Sequence, residues 1–203
     1  MNVIQILGLA LGAAWTSGLN LYATVAVLGL LEHYKLAHLP GGLQVLGNRL
    51  IIGVAVFLYV VEFFADKIPY VDTVWDAVHT FIRVPAGAVL AAAASSDISP
   101  AVQVLALLLG GGLALSTHGT KATVRAGANL SPEPLTNWSL SLLEDALAIG
   151  AVVLAVVSPI GILAVILIFL LILVWILPKV VRRIRRMLKA AGNFFRGRAV
   201  EAH

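Results

Sequence analysis

From Pro159 to Leu177 the chain runs without one charged residue, and no other feature narrows its folds so far. About 20 helical residues, at 1.5 Å each, cross the roughly 30 Å hydrocarbon core of a bilayer. Backbone groups in lipid must bond to one another, so a spanning segment is a helix or a strand of a closed barrel. Barrel strands alternate apolar and polar residues, whereas this run is apolar on every face, so it reads as a helix. Composition agrees: 60% of the 203 residues are hydrophobic and 12% charged, where a soluble domain carries about a quarter charged. There is no cysteine, which excludes disulfides, thiolate metal sites and thiol catalysis. The start, MNVIQILGLALGAAWTSG, has no basic residue ahead of its apolar run, so it reads as a retained segment and not as a signal peptide.

Further apolar runs make the expected fold an all-α polytopic transmembrane bundle of about six spans, with five or seven open. Asn2–Ala14 and Leu19–Leu31 flank a small-polar break at Thr16-Ser17-Gly18, which fits two half-helices, a re-entrant hairpin or one long broken helix. Pro40-Gly41-Gly42 marks a turn before Leu50–Phe64, which ends at Asp66-Lys67-Ile68-Pro69. Then come Asp72–Ala94, a turn at Ser95–Pro100 with Ser99 as a cap ahead of a proline, and Ala101–Leu115 running on into the polar stretch to Asn129. Trp138–Val157 and a last span ending near Pro178 complete the set. The domain division follows as 1–178 for the membrane bundle and 179–203 for a basic tail.

Eight of the fourteen basic residues lie just beyond the last span: Lys179, Arg182, Arg183, Arg185, Arg186, Lys189, Arg196 and Arg198. The positive-inside rule therefore places the C-terminus in the cytoplasm, and six spans bring the N-terminus to the same side. Lys35 and Arg49 then fall in an outside loop, against the rule. Val180, Ile184, Met187, Leu188, Ala191, Phe194 and Phe195 recur at helical spacing between the bases. That pattern fits a helix lying on the membrane, with Arg182, Arg183, Arg185, Arg186 and Lys189 attracting anionic headgroups; a solvated retention signal is the plainer reading. Nucleic acid is not an expected partner, since the aromatics sit on the apolar face.

At an offset of 63 residues Trp75–Ser95 aligns with Trp138–Ser158, Pro69 with Pro132 and Thr73 with Thr136. LGAAWTSG (Leu11–Gly18) also echoes LGGGLALSTHG (Leu109–Gly119) with a gap. An internal repeat, parallel or inverted, and shared composition both explain this. Repeats with interrupted helices are common in transporters.

Ionisable side chains inside a bilayer cost roughly 2.5–3.5 kcal/mol each on insertion scales, so they mark interior or water-filled sites. Glu62 and Asp66 share one helix face; Asp72, Asp76, His79 and Arg83 share another; so do His118, Lys121 and Arg125. Glu144 and Asp145 interrupt an apolar span. The acidic and basic stripes complement each other, and the repeat offset sets Glu62 opposite Arg125. The expectation is an interior polar network lining a substrate or ion pathway; for Asp66, Lys67 and Asp72, near the turn, interfacial anchoring is the slightly favoured reading. None of the five histidines has metal-ligand spacing, so no metal or cofactor is expected, a composite of Asp76, His79, His118 and Glu144 being the one conceivable set. Ser116, Thr117 and Ser141 near His118 carry no nucleophile motif, so no catalytic residue is assigned.

These residues resemble a family of small bacterial membrane proteins, domain of unknown function 4126. ADKIPYVD (Ala65–Asp72) with Asp76, Arg83-x-Pro85-x-Gly87, His118-Gly-Thr-Lys121 with Arg125, and SLSLLEDALA (Ser139–Ala148) carry the likeness. The resemblance covers about residues 3 to 175 and implies a bacterial inner-membrane location, without an activity. Taken together, the residues point to a small permease or channel-like protein for a small or anionic solute or a lipid headgroup, with carboxylates suited to proton coupling. A homo-oligomer is compatible with this. The rival is a non-transporting scaffold or assembly factor that binds lipid or a membrane partner, and an enzyme is the weakest class.

Overall fold

The computed structural model describes residues 1–68, 70–129 and 134–200, with the side chains of 134, 184 and 187–200 excepted. All regular structure among the described residues is helical. The order is α1 (Val3–His33), a 3-10 helix (Gly41–Gly47), α2 (Arg49–Ala65), α3 (Val71–Ala94), α4 (Pro100–Ala128), α5 (Pro134–Val157) and α6 (Pro159–Val200). Five of these helices are long and apolar enough to cross a membrane. Taking α2 together with the 3-10 helix bent 75° from it gives a sixth. The protein is thus a multi-pass helical membrane protein. Residues through Leu163 form one compact unit, and Ala164–His203 form a second.

Within the first unit α1 is the central helix and packs on α2, α3, α4 and α5. Its alanines and glycines explain how it can. A Cβ added at Gly18 would stand 2.5 Å from the Ala114 carbonyl oxygen, and one at Gly87 would stand 2.5 Å from Ala114 Cβ. Helices α1, α3 and α4 therefore meet almost backbone to backbone, as small residues allow in membrane bundles.

Of the readings open for the N-terminal segment, the structure has one long helix, broken in the middle. The break falls at Asn20 (φ −150°, ψ 102°) and not at Thr16–Gly18. Thr16 and Ser17 stay helical because their hydroxyls bond back to the carbonyls of Gly12, Ala13 and Ala14. Asn20 then starts the second half of the helix as its cap, Oδ1 accepting from the Ala23 amide at 2.9 Å. The loop after α1 holds the unforeseen 3-10 helix, whose Leu43 and Leu46 are buried. At the other end, α6 does not stop at Pro178 but runs through it.

Candidate functional site

Four helices carry the ionisable residues that the sequence singled out, and the fold stacks them into one ladder. It starts halfway along α3 and runs to the end of the bundle where α2 and α4 finish and α3 and α5 begin. The rungs are spaced by the helices: His118, Lys121, Arg125 and Asn129 step along one face of α4, and Arg83, Asp76 and Asp72 along the facing side of α3.

Arg83, wholly buried, forms the innermost rung. Its guanidinium donates to Glu62 Oε1 at 2.5 Å, to Asp76 Oδ1 at 3.3 Å and to the Leu19 carbonyl at 3.2 Å. It also donates to His118 Nδ1 at 3.1 Å. Since a guanidinium has no acceptor, this nitrogen of His118 is unprotonated, and Nε2–H donates to the Asp76 carbonyl at 3.0 Å. The next rung is Lys121. Its ammonium lies 2.9 Å from Asp66 Oδ2 and 3.2 Å from the Leu19 carbonyl, with Glu144 at 3.5 Å and Glu62 at 3.6 Å. Leu19 is the last residue before the break in α1, so the carbonyl that the break frees is taken up by Arg83 and Lys121.

Arg125 makes the third rung, a fork on Glu144 (Nη2 to Oε2 at 2.5 Å, Nε to Oε2 at 3.1 Å) that also holds the Asp66 carbonyl and carboxylate. Asp72 Oδ2 stands 3.5 Å from it. The ladder ends in amides: Asn129 Nδ2 donates to both Asp72 oxygens and to Thr73, and Asn137 donates to Asn129. Every charged member is at most 8% exposed. In the turn before α3, burial pushes the Asp66 carboxyl up, and Lys121 with Arg125 outweighs this and holds it below the ordinary carboxylate range. Burial pushes the neighbouring Lys67 ammonium down; Lys67 donates to the Phe63 carbonyl and to Ser141 Oγ.

Of the expected pathway residues, Glu62, Asp66, Asp72, Asp76, Arg83, His118, Lys121, Arg125 and Glu144 meet in this ladder. Asp145 lies on its flank, accepting from Asn20 Nδ2 at 2.9 Å. His79 stands apart: its ring stacks on Trp75, donates to the Trp75 carbonyl and faces the Tyr22 hydroxyl. The expected Glu62–Arg125 pair does not form. Glu62 takes Arg83 and Lys121 instead, because Arg125 lies a full turn further toward the bundle end, beside Asp66 and Glu144. Asn20, Asn129, Asn137 and the Leu19 carbonyl join the site without having been anticipated.

A groove of about 370 Å³ between α3 and α4, lined by Thr73, Asp76, Thr80 and Thr123 among others, borders the ladder at Asp76. In the second unit, Lys179, Arg182, Arg183 and Arg186 line a concave patch of about 600 Å³, with the Lys179 ammonium over the Trp175 ring. Arg185 is exposed off that patch. The side chains of Ile184, Met187, Leu188, Lys189, Ala191, Phe194, Phe195, Arg196 and Arg198 lie outside the described set.

The residues that make the ladder fall within 7–179, the stretch matched by the model of the family described as domain of unknown function (DUF4126). The chain belongs to this family. DUF4126 carries no assigned activity in that description, and its match spans the whole ladder and runs from the first turns of α1 to the residue after Pro178 in α6. No curated protein and no solved structure matches the chain.

Proposed function

We propose that the protein is a small permease of the bilayer, described here in a closed form, whose buried ladder handles a small or anionic solute or a headgroup and its coupling ion. The observation that carries this is the break in α1. A discontinuous span whose freed carbonyl, that of Leu19, faces Arg83 and Lys121 is the kind of device by which transporters build ion sites at mid-membrane. Six buried carboxylates against four buried cations add to it, since charges inside a membrane bundle generally serve transport or proton movement. An internal repeat is supported by α3 (Val71–Ala94) and α5 (Pro134–Val157), which begin and end 63 residues apart. The basic turn of α6 supports a cytoplasmic C-terminus and a site for anionic headgroups, with the bacterial inner membrane as the location.

The test is uptake into proteoliposomes from a panel of small anions, inorganic phosphate and carboxylates first, comparing wild type with Arg125→Ala and Glu144→Ala. Uptake above protein-free vesicles that both variants abolish supports the reading. Equal uptake in all three removes the site assignment, and none in any removes transport.

One observation favours a non-transporting scaffold: Arg83, Lys121 and Arg125 with Glu62, Asp66, Asp72, Asp76 and Glu144 are so buried and mutually paired that helix packing accounts for them. A buried network of this kind fixes which helix faces meet, whatever its contribution to stability. The permease reading stands ahead because a purely structural pairing has no use for surplus carboxylates or a broken span.

A further inference from the structure

The ladder holds more negative groups than positive ones, and one carboxyl stands out. Glu62, Asp66, Asp72, Asp76 and Glu144 each lie within 4 Å of Arg83, Lys121 or Arg125. Asp145 is 6% exposed and makes no ion pair within that distance among the described residues. Its Oδ1 accepts one hydrogen bond, from Asn20, and its Oδ2, like Glu62 Oε2, Asp66 Oδ1 and Asp76 Oδ2, has no hydrogen-bond partner among the described residues. The groups around it are Lys121 of α4, Asp66 and Lys67 of the turn before α3, the Tyr59 phenol of α2, and Asn20 of α1. An ionised carboxylate in such a place carries the desolvation cost of a charge, offset by one neutral hydrogen-bond donor and by the ammonium groups of Lys121 and Lys67, which lie beyond ion-pair distance. A proton on Oδ2 removes that cost.

We propose that Asp145 is the residue at which the protein takes up and releases a proton, and that Asn20 couples this exchange to the break in α1. The side chain of Asn20 joins the two events: Nδ2 donates to Asp145 while Oδ1 caps the second half of α1. With Oδ2 protonated, Asp145 is neutral and its Oδ1 is a weaker acceptor. With the proton gone, the charge draws on the same amide more strongly and so pulls on the break. A metal ion is the poorer occupant, because no three His, Asp or Glu side chains converge as ligands among the described residues. The proton needs no ligand set. The use of this proton for coupled transport rests on the permease reading; the proton site itself does not.

The experiment is infrared spectroscopy of the full chain in nanodiscs of phosphatidylethanolamine and phosphatidylglycerol, in light and heavy water, followed through a pH titration. A carbonyl band of a protonated carboxyl is expected at neutral pH and should be lost in Asp145→Asn, which keeps an oxygen for Asn20. In Asn20→Ala, with Asp145 intact, the loss of the one donor to the charged form should raise proton affinity about tenfold, moving the midpoint by about one pH unit. This second variant decides the matter if Asp145→Asn does not fold. Absence of the band, its persistence in Asp145→Asn, an unmoved midpoint in Asn20→Ala, or its abolition by sodium ions overturns the proposal. The band is read without any solute, so a band without uptake overturns the permease and leaves the proton site. Uptake without a band does the reverse.

Discussion

Removing Arg83 is the perturbation with the most to say about the ladder. Arg83→Met keeps the volume and the stem but strips Glu62 and Asp76 of their shared guanidinium, and both are at most 2% exposed. Breaking a buried pair by deleting one member costs about 3–5 kcal/mol, because the other charge is left behind. Lys121, 3.6 Å from Glu62 and shared with Asp66 and Glu144, offsets part of this, and the remaining escape of the abandoned carboxylate is to take a proton. From an ordinary glutamate value of about 4.3 that costs about 1.4 kcal/mol per pH unit, hence about 3.7 kcal/mol at pH 7. The loss should therefore be about 3–4 kcal/mol at neutral pH and should shrink as the pH falls toward the ordinary carboxylate value. In the double variant Arg83→Met with Glu62→Gln no charge is left at that rung's shortest pair, so at least about 2 kcal/mol should return at neutral pH. Reversible unfolding in mixed micelles, followed by helix content across pH, measures all three proteins. A loss below about 1 kcal/mol, or one that is the same at every pH, would show that Arg83 is not neutralising a buried carboxylate.

Arg125→Lys should cost about 2–4 kcal/mol despite the retained charge, since an ammonium cannot reproduce the fork on Glu144 together with the bonds to Asp66; the same unfolding assay checks it. Asp66, held below the ordinary carboxylate range, adds stability above that ordinary value, and this is lost as pH falls through the lower folded one. Acid melting curves should accordingly be shallower in Asp66→Asn. Gly87→Leu should part α3 from Ala114 of α4 and prevent accumulation of folded protein, whereas Gly112→Leu, where a Cβ meets nothing within 4 Å, should be tolerated; detergent-resistant yield separates the two. Replacing Lys179, Arg182, Arg183 and Arg186 by Gln should weaken retention of anionic phospholipid by about 1 kcal/mol per charge, read by native mass spectrometry.

Much of the site could be read from spacing alone. Asp72, Asp76 and Arg83 do share a face of α3, and His118, Lys121 and Arg125 a face of α4, because a helix places every third or fourth residue on one side. Which acid meets which base could not be read, since that depends on how far one helix slides along another. Here the contacts of Gly18 and Gly87 with Ala114 set the slide, and Arg83, not Arg125, comes to rest on Glu62. His79 had the right spacing too, yet its rotation about α3 carries it to Trp75 and Tyr22. Asn20 was missed because Thr16, Ser17 and Gly18 look more like a break. Hydroxyls that bond back to their own helix leave such residues helical, and an amide that caps the next turn does not. Asn129 and Asn137 escaped because they are neutral, though Asn129 continues the step of His118, Lys121 and Arg125 by four.

The absence of cysteine makes the central claim, that a closed ladder opens to water, directly measurable. Ser141 and Thr117 are at most 1% exposed, and Ser141→Cys or Thr117→Cys would place one thiol among the buried charges. A membrane-impermeant maleimide added from the side of the C-terminus should label both slowly but to completion in sealed vesicles, faster in the presence of a transported anion. Thiols that stay unlabelled until the protein is unfolded would contradict the account and leave the ladder as a fastening between helices.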